Sequence, residues 1–150
     1  MTNATDPVEE ARSPGVLFLC IHNAGRSQMA AGWTRTLGGP AVRVYSAGSE
    51  PASALNARAV EVMREAGIEL GTERPKRWTE EMLEAVDVVV TMGCGDSCPF
   101  VPGVRYVDWE LDDPAGLDLD GVRRVRDEIE ARVRALLTEL GVPADTQRVS

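Results

Sequence analysis

The segment of this chain best suited to chemistry is Cys20-Ile21-His22-Asn23-Ala24-Gly25-Arg26-Ser27, a cysteine separated by five residues from an arginine and a serine. A loop of this length between a strand end and a helix start can curl its backbone N–H groups into a concave cradle, and the helix N-terminus adds positive potential there. Arg26 contributes a planar fork able to grip two oxygens of a tetrahedral oxyanion at once. A free thiol titrates near ~8.5, whereas a helix N-terminus with a neighbouring arginine brings that value to roughly 3.5–7.5, so Cys20 is expected to be an ionised nucleophile. Ser27 can hydrogen-bond its sulfur. Asn23 can hold the loop through backbone hydrogen bonds or a left-handed conformation, and Gly25 permits close backbone approach. The anion-binding set is thus Ile21, His22, Asn23, Ala24, Gly25 and Arg26. His22 is the sole histidine, so it cannot complete a multi-histidine metal site, and it reads as a loop-shaping residue rather than a general base.

These residues need elements to position them. Residues 16–20 (VLFLC) form a continuous apolar run, the pattern of a strand buried on both faces of a parallel sheet. After the loop, Met29, Trp33 and Leu37 recur at helical spacing, with Gly38-Gly39-Pro40 as a stop. A second strand is expected at Val42–Ala47, then a helix whose stripe is Ala59, Val60, Met63 and Ala66, ended by Gly67. Thr79 can cap a short helix with Glu80 and Glu81 in its first turn, leading to a strand at Asp87–Thr91. A fourth strand is expected near Val104–Val107. From Asp118 to Leu140, apolar residues three or four apart mark a long amphipathic helix that Gly141 and Pro143 end. Strands alternating with helices predict an α/β fold, a three-layer sandwich around a central, mostly parallel four-stranded sheet. The domain reading is a flexible segment 1–13, one catalytic domain over 14–141 and a flexible tail 142–150.

Composition narrows the function. A chain of 150 residues, 43% hydrophobic, suits one domain with a single core. Sixteen basic residues against 24 acidic ones give a formal charge of -8, which disfavours nonspecific contact with nucleic acid or anionic lipid, so an anionic substrate must be captured locally. No apolar run reaches the roughly 18 residues of a membrane span and the first residues lack the apolar core of a signal peptide; a cytoplasmic location is expected. In such a reducing compartment three cysteines read as reactive thiols, not a static disulfide framework.

In parallel α/β sheets the active crevice lies beyond the carboxyl ends of the strands. Cys20 ends a predicted strand, Cys94 and Asp113 each follow one, and all three can converge on that edge. Asp113 precedes Pro114, which fixes the backbone, and a carboxyl placed so can donate a proton to a departing oxygen. Trp33 fits the core face of its helix. Trp78 and Trp109 fall in loops, open to a pocket or a partner surface. Arg74–Arg77 (RPKR) reads as a solvated loop.

CIHNAGRSQMA resembles the phosphate-loop signature shared by low-molecular-weight tyrosine phosphatases and the thiol-coupled arsenate reductases, with RSQMA nearer the reductases. The similarity continues through SAGSEP (Ser46–Pro51), TMGCGDSCP (Thr91–Pro99) and DDPAG (Asp112–Gly116). It implies a low-molecular-weight tyrosine-phosphatase-like fold and an enzyme that reduces arsenate, with Cys20 forming an arseno-thiol intermediate and Asp113 as general acid. Cys94 would then attack Cys20, and Cys98 would carry the disulfide outward to thioredoxin. Cys94 and Cys98 stand four apart, about 6 Å along one helical turn and within the roughly 4.4–6.8 Å Cα range of a disulfide. Thioredoxin-linked members of the family have a longer gap there, while a related group uses the first cysteine alone with mycothiol and mycoredoxin; both donors stay open. The similarity implies no tightly bound cofactor, only an external thiol reductant. Phosphate-ester hydrolysis by Cys20, Arg26 and Asp113 is the competing reaction, but Ala115 and Gly116 stand where phosphatases usually place aromatic residues to bracket a substrate ring.

Overall fold

The structure, a computed structural model, describes residues 13–93 and 99–143; the expectations for Cys94, Cys98, residues 1–12 and residues 144–150 lie outside the described residues. Four strands, β1 (Gly15–Cys20), β2 (Arg43–Gly48), β3 (Val88–Thr91) and β4 (Arg105–Asp108), form one sheet in the order β2-β1-β3-β4, and every pairing is parallel. The helices are α1 (Arg26–Gly38), α2 (Ala57–Glu65), α3 (Glu80–Ala85) and α4 (Leu119–Glu139). Strand bounds differ from the expected runs by a residue because ladder pairing, not burial alone, sets them: β2 leaves out the buried Val42 and includes Gly48, which pairs with Cys20.

The apolar runs divide by strand period. Val16, Phe18, Val88 and Val90 face a core built with α1, α2 and α4, whereas Leu17, Leu19 and Val89 face a smaller core closed by Leu83 of α3. This gives the three expected layers. Thr79 caps α3 by accepting the Met82 N–H, and Asp118 caps α4 by accepting the Gly121 N–H. The α2 stripe is Ala59, Val62 and Met63, not the expected set: Val60 is half-buried and Ala66, the C-cap residue, faces solvent. Every spacing in the expected stripe is compatible with helix, but Val62 lies nearer the centre of the face that meets α4.

Phe18, fully buried in the middle of β1, packs against Trp109 just beyond β4, with ring centroids 5.8 Å apart and the planes tilted by 45°. The contact fixes the root of the loop that carries Asp113. Phe18→Ala would cost about 3–5 kcal/mol through lost burial and the cavity left behind. Trp109 is therefore core, 6% exposed, while Trp78 is half-buried with the Arg77 guanidinium over its ring at 4.8 Å.

Candidate active site

The chain reverses its direction of travel across the sheet at β1, which has β2 on one side and β3 on the other, so the crevice of the fold opens beyond the end of β1. Cys20 is the last residue of that strand. The loop that follows is held from outside by its carbonyl groups. Those of Cys20, Ile21, His22 and Ala24 accept the N–H groups of Ser49, Glu50, Ala52 and Asn56; that of Asn23 accepts Gln28 Nε2, and that of Gly25 accepts the Met29 N–H. In a planar trans peptide each N–H points opposite to the preceding carbonyl. Carbonyls turned outward therefore turn the amides of residues 21–26 inward, the arrangement an anion requires.

The sulfur of Cys20 is buried, 2% exposed, and receives the Asn23 N–H at 3.2 Å. Ser27 Oγ lies 2.9 Å from it, and Asn23 Nδ2 donates to that same Oγ at 2.7 Å. The orientation of the Asn23 amide is fixed by an unambiguous donor, since the backbone N–H of Lys76 meets Asn23 Oδ1 at 3.0 Å. Asn23 thus donates to the Ser27 oxygen, and the Ser27 hydroxyl and the Cys20 sulfur share a hydrogen bond in which Ser27 is the donor whenever Cys20 carries no hydrogen, as a thiolate does. Asn23 itself is fully buried with φ 52°, a left-handed conformation that asparagine tolerates better than most residues.

Arg26 opens α1 and is 7% exposed. Its Nη2 lies 3.6 Å from Asp113 Oδ2, and Nη1 donates to the Leu111 carbonyl at 3.5 Å. Asp113 Oδ1 accepts the Ala115 N–H at 3.0 Å, capping a 3-10 turn over Pro114–Gly116. Pro114 of that turn rests on Gly25, where a Cβ would stand 2.9 Å from the proline ring, so the glycine lets the acid loop and the cradle touch. Cys20, His22, Arg26, Asp113, Pro114 and Ala115 border one small cavity of about 40 Å³. His22 donates from Nδ1 to the Glu50 carbonyl at 3.0 Å.

The structure brings Cys20, Arg26, Ser27, Asn23 and Asp113 together. Other contributors were not legible from residue type. Gln28 is fully buried and its Nε2 reaches Asn23 O, Asn23 Oδ1 and the Arg74 carbonyl. The RPKR segment, read as a solvated loop, supports the cradle through its backbone: Lys76 N–H on Asn23, Arg74 O on Gln28 and Lys76 O on the Gly48 N–H. Gly93, with φ +89°, lies so close to Arg26 that a Cβ there would stand 2.7 Å from Nη1. Backbone partners leave no mark in side-chain type; the buried amide of Gln28 on the helix flank was the one available signal. Among the described residues no group of three or more His, Cys, Asp or Glu side chains could hold a metal, and no helix is long and apolar enough to cross a membrane.

Three comparisons agree with this geometry. Arsenate reductase 2 of Staphylococcus epidermidis is 38% identical over 127 residues, covering 82% of this chain and 95% of its own. The solved thioredoxin-dependent arsenate reductase of Corynebacterium glutamicum superposes with a TM-score of 0.76 at 38% identity, over 92% of this chain and 71% of that one. A solved arsenate reductase in a phosphate-binding state gives a TM-score of 0.76 at 32% identity, covering 85% and 98%. The family model for low molecular weight phosphotyrosine protein phosphatase matches residues 15–145, and with the cradle, the arginine and the facing aspartate built as described, the chain belongs to that family.

Proposed function

We propose that this chain is an arsenate reductase that converts arsenate to arsenite with electrons from a thiol donor. The observation that carries the reading is the small cavity over Cys20, lined also by His22, Arg26, Asp113, Pro114 and Ala115, with no Phe, Tyr or Trp among the described residues that border it. One water-sized sphere needs roughly 10–15 Å³ of such space, so a cavity of about 40 Å³ fits a small tetrahedral oxyanion better than an aryl ester. The reductases to which the chain is similar at 38% identity support the same substrate class.

In the proposed sequence the inward amides of residues 21–26 and the Arg26 guanidinium bind arsenate. An oxyanion on Arg26 competes with Asp113 for the guanidinium and leaves the carboxyl free at the cavity mouth. Cys20 Sγ, aligned by the Asn23 N–H and the Ser27 hydroxyl, attacks arsenic, and one arsenate oxygen departs as water with a proton from Asp113, giving a Cys20 arseno-thiol. The Cys94 thiolate then attacks the Cys20 sulfur. The S–As electron pair passes to arsenic, which leaves as arsenite, and a Cys20–Cys94 disulfide remains. Cys98 attacks Cys94 in turn, releasing the Cys20 thiolate and moving the disulfide to Cys94–Cys98, where thioredoxin reduces it in the cytoplasm.

The test is arsenite release with thioredoxin, its reductase and NADPH, set beside mycothiol with mycoredoxin. Arsenate-dependent NADPH consumption with thioredoxin is expected. Turnover with mycothiol alone would reassign the donor and confine the chemistry to Cys20. Cys20→Ser should abolish both arsenate reduction and any phosphate-ester hydrolysis, and Cys94→Ser should abolish only reduction. Equal loss of the two activities in Cys94→Ser would count against the relay, and rapid aryl phosphate hydrolysis without arsenate turnover would make the chain a phosphatase.

A further inference from the structure

Asn56 borders the same small cavity as Cys20, Arg26 and Asp113. Most of its polar groups are committed within the protein. Its N–H donates to the Ala24 carbonyl at 2.8 Å, its carbonyl accepts the Val60 N–H at 3.1 Å, and its Oδ1 accepts the Ala59 N–H at 2.9 Å as the N-cap of α2. A backbone N–H can only donate, so the Ala59 bond fixes which end of the side-chain amide is oxygen. The other end, Nδ2 with its two hydrogens, has no partner among the described residues, and the half-buried side chain stays within reach of a ligand in the cavity.

The position of Asn56 identifies what such a donor would meet. The Ala24 carbonyl that it holds is turned away from the ring of inward amides, so Asn56 meets that ring from its outer side, on the cavity it shares with Asp113. An oxyanion held by the cradle and Arg26, with its central atom in line with Cys20 Sγ, turns the oxygen opposite the sulfur outward. That oxygen is the one Asp113 protonates and the one that departs. In arsenate or phosphate it carries no organic group and has lone pairs for an N–H donor as well as for the acid. In an ester the same position carries the alkyl or aryl group.

We propose that Asn56 Nδ2 donates a hydrogen bond to the substrate oxygen opposite Cys20 and so selects an unsubstituted tetrahedral oxyanion over its esters. The inference rests on the arsenate reading above and adds a specificity-determining residue to it. An organic group at that oxygen displaces the acceptor and leaves the Nδ2 hydrogens facing carbon, and a site built to hydrogen-bond an oxygen discriminates against an analogue that lacks it. A bond already present in the bound ground state and kept through the thiol step acts on binding, so its loss raises KM and leaves kcat in place.

The experiment titrates the fully reduced wild type, Asn56→Ser and Asn56→Asp by calorimetry with inorganic phosphate and with methylphosphonate, in which a methyl group replaces one oxygen. Thermal melts and the KM for arsenate are measured on the same preparations. Serine and aspartate both keep an N-cap oxygen for the Ala59 N–H, so the melting temperatures should stay close to that of the wild type. Asn56→Ser should raise the Kd for phosphate roughly tenfold or more, as loss of a hydrogen bond to a charged group does, and the Kd for methylphosphonate less than about threefold. The KM for arsenate should rise with the phosphate Kd while kcat holds, and Asn56→Asp, which sets a carboxylate at the same place, should weaken phosphate further. Unchanged phosphate affinity in Asn56→Ser overturns the assignment. So does an equal loss for methylphosphonate, which would make Asn56 a support of the cradle alone. Phosphate binding requires no turnover, so a wild type that binds phosphate yet releases no arsenite with any thiol donor sinks the reductase reading, whereas a flat phosphate response sinks the role of Asn56.

Discussion

Ser27→Ala isolates one hydrogen atom. The Ser27 hydroxyl is buried, accepts from Asn23 Nδ2 at 2.7 Å and stands 2.9 Å from Cys20 Sγ; the attacking thiolate has no hydrogen to donate, so in that state the Ser27 hydrogen has the sulfur as its acceptor. A hydrogen bond to a charged group is worth about 1.5–3 kcal/mol, which converts to a loss of roughly 10- to 150-fold in kcat/KM for arsenate. A second consequence is structural, because alanine leaves the buried Asn23 Nδ2 without this acceptor, and the expected destabilisation is about 1–3 kcal/mol. Ser27 addresses the sulfur rather than the oxyanion. The inhibition constant of inorganic phosphate should therefore move less than threefold, roughly, while the rate of the thiol step falls. Single-turnover arsenite release, phosphate inhibition and urea unfolding measured on the same preparation separate these effects. A variant with wild-type kcat/KM, or one that loses phosphate affinity in proportion to rate, would refute the assignment of that hydrogen to Cys20.

Further outcomes follow from other contacts. Asp113→Asn keeps an oxygen for the Ala115 N–H, so its melting temperature should stay close to that of the wild type, while kcat for arsenate falls about 10²–10⁴-fold if the carboxyl is the proton donor. Gly93→Ala should weaken phosphate binding, since its Cβ would stand 2.7 Å from Arg26 Nη1; the strained φ of +89° should also cost about 1–2 kcal/mol in a denaturant titration. Glu65 joins α2 to α4 by hydrogen bonds from Arg123 and Arg126, and the Arg123 bond is the main reason its carboxyl titrates below the usual range. A lowered folded value gives stability that is present above the unfolded carboxylate range, near 4.5, and is lost as pH falls through the folded value. Glu65→Gln should thus flatten the acid limb of a stability-versus-pH curve, and the gap between wild type and variant should close as the pH is lowered.

Much of the architecture was legible because burial writes itself into side-chain type. The run VLFLC has the pattern of a strand covered on both faces and is one, and the α4 stripe from Val122 to Leu137 is buried as its spacing predicts. Asn23 and Ser27 were legible for a related reason: few residue types tolerate a left-handed loop or offer a donor to a buried sulfur. What could not be read is whatever the backbone does. Residues 49–56 tie down the cradle with amide groups any residue could supply, and Arg74–Arg77 looked like a charged loop because its side chains are charged, whereas its work on Asn23 and Gln28 is done by peptide groups. Trp109 illustrates a third case. Its place in a loop left it open to a pocket or partner role, and only the fold shows that the loop starts in the core against Phe18.

The central claim is that the peptide N–H groups of residues 21–26, with the Arg26 side chain, form the oxyanion cradle above Cys20. A phosphate titration followed by amide nitrogen–proton NMR tests it directly. The account predicts saturable downfield shifts of the Ile21–Arg26 amides and of Arg26 Nε, all reporting one dissociation constant. Binding that leaves those resonances unmoved while shifting others would contradict it.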